Sequence, residues 1–301
     1  MKDFGARLAN PHAIVIAMAE KLGRVRSSLR ETLSPGTRAV VRSWRWHLTY
    51  YLPRLVASRF VRTSPTVRGF GAACAGDSAL VKQLRSVNAM GATHMCRVMT
   101  KYGSDKGRGW HNYTTVYSVL LGPSHTPPAR IFELGLGTNQ PDLISNMGIE
   151  GRPGASLRGW KELFPNALVY GADIDRNSLF TEERIQTYYC DQLDPAVIRE
   201  LWAQPELRDG MNLIIEDGLH RFDANLCFLE ASLEHVLPGG FYVIEDIASD
   251  KAESWYEQLE TVYAKRYPTY EFAFVILPNS LNVGDNNMVV IRRPGWNSAV
   301  V

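Results

Sequence analysis

The chain has 301 residues and a mass of 33.8 kDa, with 33 Lys and Arg against 31 Asp and Glu. Hydrophobic residues make up 45% and charged residues 21%, a balance that excludes whole-chain disorder, a collagen-like repeat and a disulfide mini-protein. No apolar run reaches the roughly 18 residues of a membrane span, and Ala13–Ala19 is too short and lacks the basic start of a signal peptide.

The charge is unevenly placed. Residues 1–70 hold 13 Lys and Arg but 3 Asp and Glu, whereas the remainder holds 20 and 28. This split predicts two parts: a basic helical extension over 1–95 and an α/β domain over 96–301. Ala13, Ile14, Ile16, Ala17 and Leu22 suggest one apolar helical stripe. A second helix is expected from Thr37 to Phe60, broken or kinked at Pro53. It mixes Trp44, Trp46, Tyr50 and Tyr51 with Arg38, Arg42, Arg45, Arg54 and Arg59. Such an arm suits a cap, a dimerisation arm of a homo-oligomer, or a peripheral contact with an anionic membrane. No recognition motif accompanies the charge, so nucleic acid is not an expected partner. The cysteines at 74, 96, 190 and 227 have neither zinc-ligand spacing nor a CxxC pair, which fits a reducing cytoplasm.

Residues 77–99 read as a helix leading into KYGSDKG at 101–107. Strands and helices then alternate. ARIFELGLG (129–137) is a strand ending in a glycine turn, and Ser156 to Phe164 a helix. LVYGADID (168–175) and IQTYYCD (185–191) are strands. Pro195 to Ala203 is a helix, capped by Asp194 with Pro195 in its first turn. MNLIIEDG (211–218) is a strand, and the helix from Phe222 to Val236 stops before Pro238-Gly239-Gly240. GFYVIEDI (240–247) is a strand and Lys251 to Tyr267 a helix. YEFAFVILP (270–278) and NMVVIRR (287–293) close the chain as two strands with no helix between them. Apolar strands alternating with helices imply a parallel sheet covered on both faces. The closing pair implies one antiparallel strand inserted at the edge. The expected fold class is therefore α/β, a Rossmann-like sheet of seven strands, mostly parallel, with the helical N-terminal extension.

Ligands of open α/β sheets bind beyond the carboxyl ends of the strands. The first such turn is Glu133-Leu134-Gly135-Leu136-Gly137-Thr138. Gly135 and Gly137 allow close approach of the backbone to a ligand. A dinucleotide fingerprint needs a small residue at 140, which is Gln140, and no GKS or GKT follows. An acid immediately before the glycines repels pyrophosphate and suits a positively charged ligand. S-adenosylmethionine carries a sulfonium and an ammonium and no phosphate. Glu133, Gly135, Gly137 and Thr138 are then cofactor contacts, Asp173 a partner for ribose hydroxyls, and Asp191 with Gln192 a place for adenine.

Two strand ends carry further acids, Glu216-Asp217-Gly218-Leu219-His220 and Glu245-Asp246. The strands are expected neighbours, so Asp217, Glu245 and Asp246 are positioned to share one hard cation, Mg²⁺, Mn²⁺ or Ca²⁺. Pairing of Glu245 or Asp246 with a basic residue is the plainer alternative. Glu216 points to the other side of its strand. His220 is placed to act as a general base, with Asp217 beside it. A cation on an acceptor hydroxyl would stabilise the developing alkoxide while His220 takes its proton.

Together these motifs resemble the class I S-adenosylmethionine-dependent methyltransferases, and within them the Mg²⁺-dependent sugar O-methyltransferases of natural-product pathways. The likeness covers residues 95–293. It rests on KYGSDKG with HNYTTVY (101–117), FELGLGTN (132–139), GASLRGWKELFPNALVYGADID (154–175), EDGLH (216–220) and VIEDI (243–247). It implies a sugar, glycosylated metabolite or glycan acceptor, the metal ligands Asp217, Glu245 and Asp246, and His220 as base. It also implies that 101–117 is a lid over the cofactor, with Lys106, His111 and Tyr113 as contacts. Residues 138–155 are expected to cover the acceptor or to shape a dimer, and 279–287 to line the acceptor site, form a dimer contact or be a plain polar hairpin loop. Two alternatives remain: a cephalosporin hydroxylase-like metal enzyme of the same fold, and a non-catalytic S-adenosylmethionine-binding scaffold.

Overall fold

Nine strands form one sheet in the order β1-β8-β9-β7-β6-β2-β3-β5-β4. The computed structural model describes residues 63–74, 78–107, 109–122, 125–148, 150–279, 281–282 and 284–295. Residues 1–62, which hold both expected helices of the basic arm and its expected membrane contact, lie outside the described residues. Among the described residues, no helix is long and apolar enough to cross a membrane.

The strands are β1 (Thr66–Phe70), β2 (Arg130–Leu134), β3 (Leu168–Asp173), β4 (Thr181–Glu182), β5 (Ile185–Tyr189), β6 (Met211–Glu216), β7 (Val236–Ile247), β8 (Glu271–Ile276) and β9 (Asn287–Arg292). The helices are α1 (Ala79–Arg85), α2 (His94–Tyr102), α3 (Tyr113–Leu120), α4 (Ala155–Leu163), α5 (Pro195–Trp202), α6 (Phe222–Ser232), α7 (Ala252–Gln258) and α8 (Ala264–Arg266). Strands β5, β3, β2, β6 and β7 are parallel, and β9 is antiparallel to both β7 and β8. The inserted antiparallel strand is thus where the sequence places it.

Seven expected strands become nine because each edge gains a short one. β1 pairs antiparallel with β8, and β4 pairs antiparallel with β5 through only two residues. β1 comes from residues assigned to the extension by their charge. Val67 and Phe70 are buried, and β1 continues the sheet, so the division at 95/96 cuts through one compact unit that holds every described residue. The single helix expected over 77–99 is two. Ser78 caps α1 by accepting from Val81 N–H, and Thr93 caps α2 by accepting from Cys96 N–H. The helix expected over 251–267 has a π-helical turn at Leu259–Tyr263 before α8.

Each face of the sheet has its own apolar layer. Leu84, Met99, Tyr117, Leu157 and Trp160 pack on one face, and Trp202, Phe228, Trp255 and Tyr263 on the other. Strands covered on both faces must be apolar throughout, and IFEL of β2 is buried at all four positions. Glu133 is the exception, and it marks the functional edge. The pairs Leu134–Glu216 and Glu216–Ile244 set the register of β2, β6 and β7. They bring Gly135, Asp217 and Glu245 level at the carboxyl edge.

A chain beginning at residue 71 loses β1 and leaves the edge of β8 open. Burial of a Val or Phe side chain contributes roughly 1.5–3 kcal/mol. Urea unfolding of 71–301 should show a loss of about 3–6 kcal/mol against 63–301. Equal midpoints and slopes would show that β1 adds nothing to the unit.

Candidate active site

At the end of β2 the chain turns through Gly135 and Gly137, with φ of 92° and 79°. A Cβ at position 135 would lie 1.9 Å from the Asp217 carbonyl oxygen, and one at 137 would lie 2.1 Å from Met147 Sδ. Neither position accepts a side chain without movement, and both φ values favour glycine. Leu136 N–H donates to Asp173 Oδ2 (2.7 Å), and Asp175 N–H donates to Asp173 Oδ1 (2.8 Å). Thr138 donates to Asp175 Oδ2 at 2.5 Å. The acid ending β3 therefore holds the glycine turn. Burial pushes the Asp173 carboxyl up, against the backbone N–H groups that favour its charge.

The turn opens on a cavity at the carboxyl edge. Its lining includes Lys106, Glu133, Gly135, Gly137, Thr138, Asp173, Asp191, Gln192, Asp217, His220 and Asp246. Several of these side chains are already engaged. Glu133 accepts from Ser156 Oγ and Trp160 Nε1, each at 2.6 Å. Ser156 and Trp160 are four apart on one face of α4, a spacing visible in the sequence but not used there. Gln192 donates to Glu216 Oε1 (2.5 Å) and accepts from Leu219 N–H (2.8 Å), tying the ends of β5 and β6 together. Asp191 Oδ1 accepts from Leu193 N–H at 2.9 Å. Glu216 lies away from the cation candidates, bonded also to Asn225, and burial pushes it up to about 7.

Asp217 and Asp246 meet around His220. His220 Nε2 is 3.2 Å from Asp217 Oδ1 and 3.4 Å from Asp246 Oδ2. One ligand atom from each of these three residues lies within 4.8 Å of the others. His220 and Asp246 both have left-handed backbones, with φ of 57° and 53°. The β7–β9 register shifts between Ile244 and Ile247, at the same place. That irregularity turns Asp246 toward His220 although it follows Glu245 directly.

The electrostatics follow from burial and crowding. Burial, then the Asp217 charge, pushes Asp246 up to about 6. Burial also acts to raise Asp217, but Lys106 and His220 outweigh it and hold that carboxyl below the usual range. Burial opposes the charge of His220, yet Asp217 and Asp246 push it up to about 10.

Glu245 departs from the expected ligand group. It is fully buried, takes the Lys106 ammonium on Oε2 and accepts from Tyr117 Oη at 2.7 Å on Oε1. The plainer alternative, an acid paired with a basic residue, describes its contacts. Lys106 is 2% exposed and also contacts Asp217 Oδ2, with Glu133 Oε1 at 3.3 Å. It lines the cavity as expected, but its ammonium faces carboxylates.

His111 and Tyr113 are not among the cavity residues. Tyr113 donates to Asp246 Oδ1 (2.5 Å), and His111 Nδ1 lies 3.3 Å from the same oxygen. The two rings stack at 4.7 Å. From Tyr113 onward the segment expected to be a lid forms α3, most of it buried. Asn282 and Asn286, from the loop before β9, approach His111 at 3.4 and 3.3 Å. Tyr117, Trp160, Asn225 and these asparagines support the site and were not singled out from sequence. Apart from Asn225, nine residues from Glu216, their partners lie tens of residues or more away and leave no spacing signal.

The donor set suits a hard cation. Asp217 and Asp246 present carboxylate oxygens side by side, and without a cation their charges oppose each other. Glu245 can join them only if Lys106 releases it.

The order of the seven central strands is that of the class I S-adenosylmethionine-dependent methyltransferases, and the fold is theirs. Chains of the MycE methyltransferase from the mycinamycin biosynthetic pathway, in complex with Mg and SAH, superpose with a TM-score of 0.51 at 22% identity. The match covers 70% of this chain and 58% of that one. In sequence, the chain is similar to sugar O-methyltransferases. It is 33% identical over 147 residues to the 8-demethyl-8-alpha-L-rhamnosyl tetracenomycin-C 2'-O-methyltransferase of Streptomyces olivaceus, 49% of this chain and 36% of that protein. It is 34% identical over 148 residues to the demethylmacrocin O-methyltransferase of Streptomyces fradiae, 49% and 35% respectively. The match thus spans about a third of each relative. No family model matches the sequence.

Gly135→Ala forces a Cβ onto the Asp217 carbonyl at an unfavourable φ. It should cost roughly 2–4 kcal/mol by urea unfolding. A wild-type midpoint would show that the turn tolerates a side chain and does not fix the edge of the sheet.

Proposed function

We propose that the chain is an S-adenosylmethionine-dependent, divalent-metal-assisted O-methyltransferase. Its acceptor is a hydroxyl of a sugar or glycosylated metabolite. The observation that carries this reading is the junction of the Asp217–His220–Asp246 group with the glycine-turn cavity. The fold and the similarity to sugar O-methyltransferases support it.

Asp173, Asp191 and the Gly135–Thr138 turn border the place for the cofactor. Gly135 and Gly137 keep that wall free of side chains. Glu133 is held in place by Ser156 and Trp160 and keeps the wall negative, which suits a sulfonium and disfavours phosphate. When bound, S-adenosylmethionine supplies an activated methyl group, and a divalent cation stabilises charge developing on the acceptor oxygen. Asp217 and Asp246 hold that cation, Mg²⁺ or Mn²⁺. His220 takes the acceptor proton, while its Nε2 faces the two carboxylates, which orient the ring. It can do so only when the charge of those carboxylates is offset, which makes the base and the cation interdependent. The protein contributes mainly orientation and a fixed field.

Calorimetric titration of EDTA-treated protein with S-adenosylmethionine and S-adenosylhomocysteine tests the cofactor assignment. Both should bind, and methyl transfer to a glycoside panel should require Mg²⁺ or Mn²⁺. Absence of binding with and without Mg²⁺ removes the methyltransferase reading. His220→Ala should keep cofactor affinity within about threefold while turnover falls about 10²–10⁴-fold. A fully active variant would remove His220 as the base.

A further inference from the structure

We propose that Lys106 is a positioning residue that occupies the inner half of the cation site and is displaced when a divalent ion takes Glu245 as a ligand. The inference rests on the metal-assisted reading above and concerns this chain's own lysine.

Three acids reach one point from three neighbouring strands: Glu133 on β2, Asp217 after β6 and Glu245 on β7. The ammonium of Lys106 contacts Asp217 Oδ2 and Glu245 Oε2 and lies 3.3 Å from Glu133 Oε1. The ammonium, which has donors and no acceptor, donates to Asp217 and Glu245 and pairs by charge with Glu133. Glu133 and Glu245 are fully buried, and buried carboxylates need a partner. Lys106 balances one charge of the three.

The outer half of the site uses different atoms. Asp217 turns Oδ1 to His220 and Oδ2 to Lys106. Asp246 Oδ2 faces His220 and makes no ion pair with Lys106. Asp217 therefore stands between an inner cation already supplied by the chain and the outer His220–Asp246 pair. Glu245 has one oxygen on Lys106 and the other accepting from Tyr117 at 2.7 Å. A divalent ion held by Asp217 and Asp246 gains Glu245 only by taking the place of the ammonium. Lysine suits such an exchange, being a compact charge on a flexible four-carbon stem. Lys106 lies between α2 and α3 and borders the cavity, so the displaced ammonium has space to enter. Lys106 thus keeps the ligands aligned before the ion arrives and lowers the ion's affinity.

The test is Mn²⁺ binding by the full chain, followed by the paramagnetic resonance signal of free Mn²⁺. Lys106→Met leaves three carboxylates without their ammonium and should bind Mn²⁺ about tenfold or more tightly than wild type. Lys106→Arg keeps the charge and should bind no more tightly than wild type. A second measurement needs no destabilised variant. The ¹H–¹⁵N resonance of the Lys106 ammonium, assigned by its absence from Lys106→Arg, should shift or vanish as Mg²⁺ saturates the wild-type protein. A folded Lys106→Met that binds Mn²⁺ no more tightly, or an ammonium resonance unmoved at saturating Mg²⁺, overturns the proposal while leaving the metal reading intact. Failure of wild type and Lys106→Met alike to bind Mn²⁺ overturns both.

Discussion

Carboxylates from adjacent strands crowd the carboxyl edge of the sheet, and their mutual repulsion has to be balanced. Glu133, Asp217 and Glu245 converge on Lys106, while Asp217 and Asp246 converge on His220. The sheet brings these acids together as a consequence of register. Folding of β2, β6 and β7 therefore creates a strongly negative edge, and the residues around it hold that charge in place. Trp160, Ser156, Tyr117 and Tyr113 each direct a donor at one carboxylate.

The same constraint links the two halves of the site. Glycine at 135 and 137 lets the first turn lie against Asp217 and Met147 without a side chain intervening. Asp173 holds the turn through Leu136 N–H and its own following loop through Asp175 N–H. A cofactor at that turn and a cation at Asp217, as proposed, would be neighbours. Proximity of a methyl donor to an activated oxygen is the main contribution a protein makes to such a transfer.

Much of this was legible in the sequence because strand ends were marked by acids. Alternating apolar strands and helices identified the parallel sheet, and the absence of a helix between the last two strands identified the antiparallel insertion. Asp217 and Asp246, expected to share a cation with Glu245, lie together with His220, whereas Glu245 is turned to Lys106. The edge strands were not legible. β1 has five residues inside a stretch whose basic charge dominated its reading, and β4 has two. The partner of Glu245 was not legible either. Lys106 lies 139 residues away in sequence, in a segment whose motif pointed toward the cofactor. His111 and Tyr113 reach Asp246 for the same reason: α3 is packed into the core and does not lie over the cavity as a loop.

The central claim is that cofactor and cation sites adjoin where β2, β6 and β7 end. Crystals grown with S-adenosylhomocysteine and Mn²⁺, measured at the manganese absorption edge, address it directly. The account predicts one anomalous peak within coordination distance of Asp217 and Asp246 carboxylate oxygens, and cofactor density against Gly135, Gly137 and Asp173. A manganese peak away from both aspartates, or cofactor density outside the glycine-turn cavity, would contradict it.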